Sequence, residues 1–72
     1  MENTSTHTIQ DRLDDLVPED TLALRWGKSR RTLQRMRAAS DAPPYLILGR
    51  SVFYRQGDIL EFEKHARRGG GL

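Results

Sequence analysis

Seventy-two residues without a cysteine make one small domain with a thin core. Folding at this size buries only about 60% of the chain's surface, and neither a disulfide nor cysteine-ligated zinc can reinforce it. The net charge of +2 conceals a segregation. Residues 1–20 carry six acids against Arg12 alone, residues 21–55 carry eight Lys and Arg against Asp41 alone, and the remaining residues balance.

No apolar run approaches the ~20 residues of a membrane span, and the polar N-terminus lacks a signal-peptide pattern, so a cytoplasmic chain is expected. There is little room for both a scaffold and a catalytic pocket. Nothing assembles a nucleophile, a base and an oxyanion site, so no enzyme is expected. His7 and His65 are isolated, and neither a metal nor another cofactor is called for. Asp14-Asp15 and Glu19-Asp20 have no companion nucleophile; helix-start electrostatics explains them better than acid/base chemistry.

In chain order, residues 1–12 read as a flexible tail, 13–67 as the folded domain and 68–72 as a glycine-rich tail. Ile9, Leu13 and Leu16 recur at near-helical spacing among acids, as a weak turn of helix or a lead-in. The first firm helix opens at Pro18, with Glu19 and Asp20 at the positive end of its dipole. Leu22, Ala23 and Trp26 form its inward stripe, and Gly27 stops it. Arg25 could touch the DNA backbone or pair with Asp20 or Glu19, and the structural role is preferred.

Ser29 caps a second helix running from about Arg30 to about Ala39. Leu33 and Met36 face the core. Arg30, Arg31, Gln34 and Arg35 face outward, with Arg37 on the flank. From Arg30 to Arg37 there is no acid, whereas a merely solvated face mixes signs. A helix of this width fits the DNA major groove, and Arg can grip guanine bidentately. Arg30, Arg31 and Gln34, near the helix start, are the better base readers. Lys28, Arg35 and Arg37 are the better phosphate binders, and Ser29 and Thr32 lie within the same candidate surface. Two short helices across a glycine turn make a helix-turn-helix, whose second member reads DNA.

Pro43 and Pro44 end that helix. Residues 45–48 and 51–54 then read as a β-hairpin around Gly49-Arg50. A two-residue turn would pair Leu48 with Ser51 and gather Tyr45, Ile47, Val52 and Tyr54 on one face. A three-residue turn would pair Leu48 with Val52 and gather Leu46, Leu48, Val52 and Tyr54. Arg50 at the tip could reach a phosphate or the minor groove; Arg55 could contact DNA or cap the last helix. That helix starts near Gln56 or Asp58 and runs to about Arg67, with Ile59, Phe62 and Ala66 as its ridge. The expected fold is mainly α with a small β-hairpin: a winged helix-turn-helix.

The run Leu24-Arg25-Trp26-Gly27-Lys28-Ser29-Arg30-Arg31-Thr32-Leu33-Gln34-Arg35, then Pro43-Pro44-Tyr45, Gly49-Arg50, Tyr54-Arg55 and Asp58-Ile59-Leu60, resembles the winged-helix excisionases. These are the recombination directionality factors of temperate phages and integrative elements, similar to AlpA-like regulators and more distantly to the MerR DNA-binding domain. The resemblance covers roughly residues 16–66. It implies a bacterial or phage-encoded, nucleoid-associated factor that binds and bends double-stranded DNA near attachment sites. Such a factor assists a tyrosine or serine integrase in excision; some members regulate transcription. The family's apolar wing positions match Leu46, Leu48, Val52 and Tyr54, which favours the three-residue turn. Lys28 departs from a small apolar residue, and Ile47 and Phe53 depart from charged wing residues. One module of this kind covers only about 600–1,000 Å² on DNA, so further copies on adjacent sites are expected, with Ile47 and Phe53 either as partner contacts or packed against the lead segment of their own chain. A rival reading from another class is a protein-interaction module, such as an antirepressor or antitoxin, using the acidic lead and the Ile47/Phe53 face.

Overall fold

The computed structural model describes residues 12–68. Ile9, the triple glycine and all but Arg12 and Arg68 of the two expected tails lie outside the described residues. After a helical stretch at 12–14, the elements in order are β1 (Leu16–Pro18), α1 (Glu19–Trp26), α2 (Arg30–Ala38), β2 (Leu46–Leu48), β3 (Ser51–Arg55) and α3 (Gln56–Ala66). The strands form one antiparallel sheet in the order β1-β3-β2. The chain is therefore a mixed α/β fold with helices packed on a three-stranded sheet.

β1 was not expected. The near-helical spacing of Leu13 and Leu16 pointed to helix, but Pro18 disfavours helical backbone at the residue before it. Val17 is extended accordingly and pairs with Tyr54; Leu16 pairs with Arg55 and Pro18 with Phe53. Pro18 lacks an N–H, and a terminal residue of an edge strand tolerates that loss. The Gln56 N–H donates to the Asp15 carbonyl at 2.9 Å, fastening the strand's start to the head of α3. Pro18 is thus the residue that flanks α1 rather than its first helical one.

Gly27 adopts the left-handed conformation at φ 67°, which terminates α1. Its N–H donates to the Leu24 carbonyl, and the Lys28 N–H donates to that of Ala23 at 2.9 Å. Ser29 caps α2 as expected, its Oγ accepting the Thr32 N–H at 3.1 Å.

The hairpin register corrects the sequence expectation. Leu48 pairs with Ser51, Ile47 with Val52 and Leu46 with Phe53, leaving a two-residue turn. Gly49, at φ 67°, takes the first turn position, where positive φ matches the twist of the strands. The face toward the helices therefore carries Tyr45, Ile47, Val52 and Tyr54; Leu46 and Leu48 fall on the other. The three-residue alternative would have required an extra unpaired residue that the short Gly-Arg turn does not supply.

Leu22 and Ala23 from α1, Leu33 from α2, Tyr54 from β3 and Ile59 from α3 form the buried core. Val17, Trp26, Met36 and Val52 pack against it. No element supplies more than three of these groups, so the elements depend on one another for burial.

Candidate nucleic-acid interface

The 100° advance per residue along α2 divides its side chains into three sectors around the Leu33 anchor. Arg31 and Arg35 form an exposed ridge opposite Leu33. Arg30, Gln34 and Arg37 flank it on the hairpin side and, with Arg50 and Ser51, line a polar groove of about 330 Å³. Met36 lies on the other flank. The exposed side of α2 thus presents arginines and a glutamine, with a further arginine across the groove.

Not all the expected cations are available there. Arg37 is drawn inward. Its guanidinium donates to both carboxylate oxygens of Glu19 at 3.0 and 3.3 Å, and these side chains are only 16% and 6% exposed. The Tyr54 hydroxyl donates to the same carboxylate at 3.1 Å, and Arg37 lies 5.1 Å from the centre of the Tyr45 ring. Burial opposes the Arg37 charge, but the Glu19 carboxylate keeps its pKa raised. Burial and the adjacent carboxylate push the Tyr54 hydroxyl up to about 12. Arg37 therefore does not stand as a phosphate contact; it joins α2 to α1 and β3. Glu19, which the sequence offered as helix-start charge and as a possible partner of Arg25, is the buried centre of this cluster.

Arg55 is also set apart. Strand alternation places it on the sheet face opposite Tyr54, away from the Arg37 cluster, and its backbone flanks the start of α3. The same alternation separates Ile47 from Phe53. Ile47 is 60% exposed and shares a face with Val52, while Phe53 lies on the opposite face between Pro18 and Leu46. They cannot form the joint contact patch that the three-residue turn implied.

Ser29 and Thr32 hydroxyls approach each other at 3.1 Å, so both are engaged at the helix cap. Arg30 pairs with Asp20 at 3.0 Å, but both side chains are well exposed and such a pair holds weakly against a competing phosphate. Lys28, Arg31, Arg35 and Arg50 are exposed and make no ion pair among the described residues. The surface brought together is Arg31, Gln34 and Arg35, with Arg30 and Arg50 beside them and Lys28 at the preceding turn.

A second link holds α1 to α3. Arg25 grips Glu63 bidentately at 2.7 Å through Nε and Nη2, and the Trp26 indole N–H donates to the same carboxylate at 2.7 Å. Arg25 is structural, but its partner is Glu63 rather than Asp20 or Glu19. The Arg25 hydrogen bonds hold the Glu63 carboxyl below its ordinary value of 4.5. A lowered folded pKa gives stability that is complete above the unfolded value and lost as pH falls through the folded one. Glu63→Gln should therefore flatten the acid limb of a melting-temperature profile below about pH 4.5. An unchanged acid limb would show that the link does not contribute.

Among the described residues, no cluster of three or more His, Asp or Glu side chains could hold a metal ion, and no helix is long and apolar enough to cross a membrane. Comparison with protein-family models, curated proteins and solved structures finds no match.

Proposed function

We propose that this chain is a sequence-reading DNA-binding protein of the winged helix-turn-helix excisionase type, with α2 entering the major groove and the β2–β3 hairpin as its wing. The observation that carries the reading is the exposed, acid-free ridge of α2, Arg31 and Arg35 with Gln34 beside them, on a helix anchored from behind by Leu33. Arg31 and Gln34 read bases, with Arg30 joining them once it leaves Asp20; Arg35, Lys28 and Arg50 bind phosphates. The order of elements, with the hairpin tip's Arg50 across a groove from α2, supports the wing assignment.

In this reading the protein makes no covalent change. It binds and bends attachment-site DNA, so that an integrase assembles for excision of a mobile element, and it works in the cytoplasm on the nucleoid. The module is too small for high selectivity alone, so further copies occupy adjacent sites. Selection from a random duplex pool should enrich one short motif. Adding the protein to an integrase reaction on DNA carrying that motif beside the recombination sites should raise excision over integration. A pool that remains random after selection would overturn the reading. Enrichment without an effect on recombination would leave DNA reading intact and overturn the excision role in favour of transcriptional control.

A further inference from the structure

On the flank of α2 away from the hairpin, a second groove opens between α2 and α3. Its floor is the stacked Trp26–Phe62 pair, with ring centres 5.6 Å apart. Met36 and Ala66 line it around an open volume of about 390 Å³. Lys28 and Arg67 also line it, and neither makes an ion pair among the described residues. Its one acid, Glu63, is already held by Arg25 and the Trp26 N–H. The groove therefore joins an apolar floor to a positive rim that makes no ion pair among the described residues.

We propose that this groove docks an amphipathic helix from a partner protein, one with apolar anchors at helical spacing flanked by Glu and Asp. An apolar trough between two helices is the receptor form of helix-in-groove recognition, and the rim charge selects an acidic ligand. DNA does not fit the floor: a phosphate could meet Lys28 but has nothing apolar to set against Trp26 and Phe62. A second copy fits poorly. Its exposed acidic–apolar stretch, Leu13-Asp14-Asp15-Leu16, leaves the helical conformation after residue 14 and is tied by the Asp15 carbonyl to Gln56. Among the described residues it does not present anchors along successive helical turns. The groove lies on a different sector of α2 from the Arg31/Arg35 ridge and shares only Lys28 with the DNA-reading surface.

The test uses the full chain and two fluorescein-labelled helical peptides with leucine at positions i, i+3, i+4 and i+7. One carries glutamate at the other positions and one carries lysine. In anisotropy titrations the glutamate peptide should bind about tenfold or more tighter than the lysine peptide. Arg67→Glu should weaken it about fivefold, and Ala66→Trp, which fills the groove from an exposed position, should abolish it. Both variants should keep the wild-type melting temperature. Equal binding of the two peptides, no binding of either, or binding that survives Ala66→Trp would overturn the proposal. So would a dimer in sedimentation equilibrium that Ala66→Trp removes, because the groove's occupant would then be a second copy.

Discussion

Glu19→Ala is expected to strip the domain of a large share of its stability. Glu19 is the single acceptor for two buried or half-buried donors, the Arg37 guanidinium and the Tyr54 hydroxyl. Removing it strands the Arg37 charge beneath the hairpin, and breaking a buried pair in this way costs about 3–5 kcal/mol. A chain of 72 residues has only about 4–11 kcal/mol of stability to lose. Glu19→Gln keeps the shape but not the charge, and should lose nearly as much. Glu19→Gln combined with Arg37→Met removes both charges and should recover most of the loss, a non-additivity that identifies direct coupling. Tyr54→Phe should cost about 1 kcal/mol, because it removes one hydrogen bond and leaves the ion pair intact. Urea denaturation followed by circular dichroism measures all four. A Glu19→Ala midpoint close to wild type would show that Arg37 relaxes into solvent and that the cluster does not hold α2.

The second large effect concerns recognition. Arg31→Ala should lower affinity for the selected DNA motif by about 1–3 kcal/mol while changing affinity for unrelated DNA much less. Gln34→Ala should act in the same sense at a neighbouring base pair. Arg35→Ala should weaken all sequences alike, as loss of a phosphate contact does. The distinction follows from position. Arg31 belongs to the first turn of α2, the end that enters the groove in helix-turn-helix docking, whereas Arg35 lies one turn further on. Competition titrations with specific and random duplexes separate the two classes. Equal loss on both duplexes for Arg31→Ala and Gln34→Ala would remove them from base reading.

Much of this architecture is legible in local sequence chemistry. Gly27 and the Ser29 cap each act within a few residues, and they end α1 and start α2 as expected, whereas α2 ends at Ala38 through Ser40 in the left-handed conformation rather than at Pro43-Pro44. The outward set Arg30, Arg31, Gln34 and Arg35 follows from helical periodicity about Leu33. What could not be read depends on distant partners. Glu19 meets Arg37 and Tyr54 across 18 and 35 residues, and Arg25 meets Glu63 across 38. Nothing local distinguishes these acids from any others at a helix start or on a helix face. The hairpin register is a different failure. Both turns satisfied the apolar pattern because residues 45–48 and 52–54 are apolar on both faces, so alternation carried no information. β1 did leave a signal in Val17, a β-branched residue preceding a proline, but the i, i+3 leucines beside it pointed the other way.

The most direct test of the central claim is the salt dependence of DNA affinity, measured by fluorescence anisotropy on wild type, Arg35→Ala and Arg37→Met. Lys28, Arg35 and Arg50 offer about three phosphate-reaching cations, each contributing about −0.9 to the slope of log K against log salt, so wild type should fall near −2.7. Arg35→Ala should reduce the magnitude by about 0.9. Arg37→Met, measured under conditions where it remains folded, should leave the slope unchanged, because Arg37 belongs to Glu19 rather than to DNA. A wild-type slope near zero would contradict DNA binding by this surface, and a slope that drops equally for Arg37→Met would contradict the division between the reading ridge and the buried cluster.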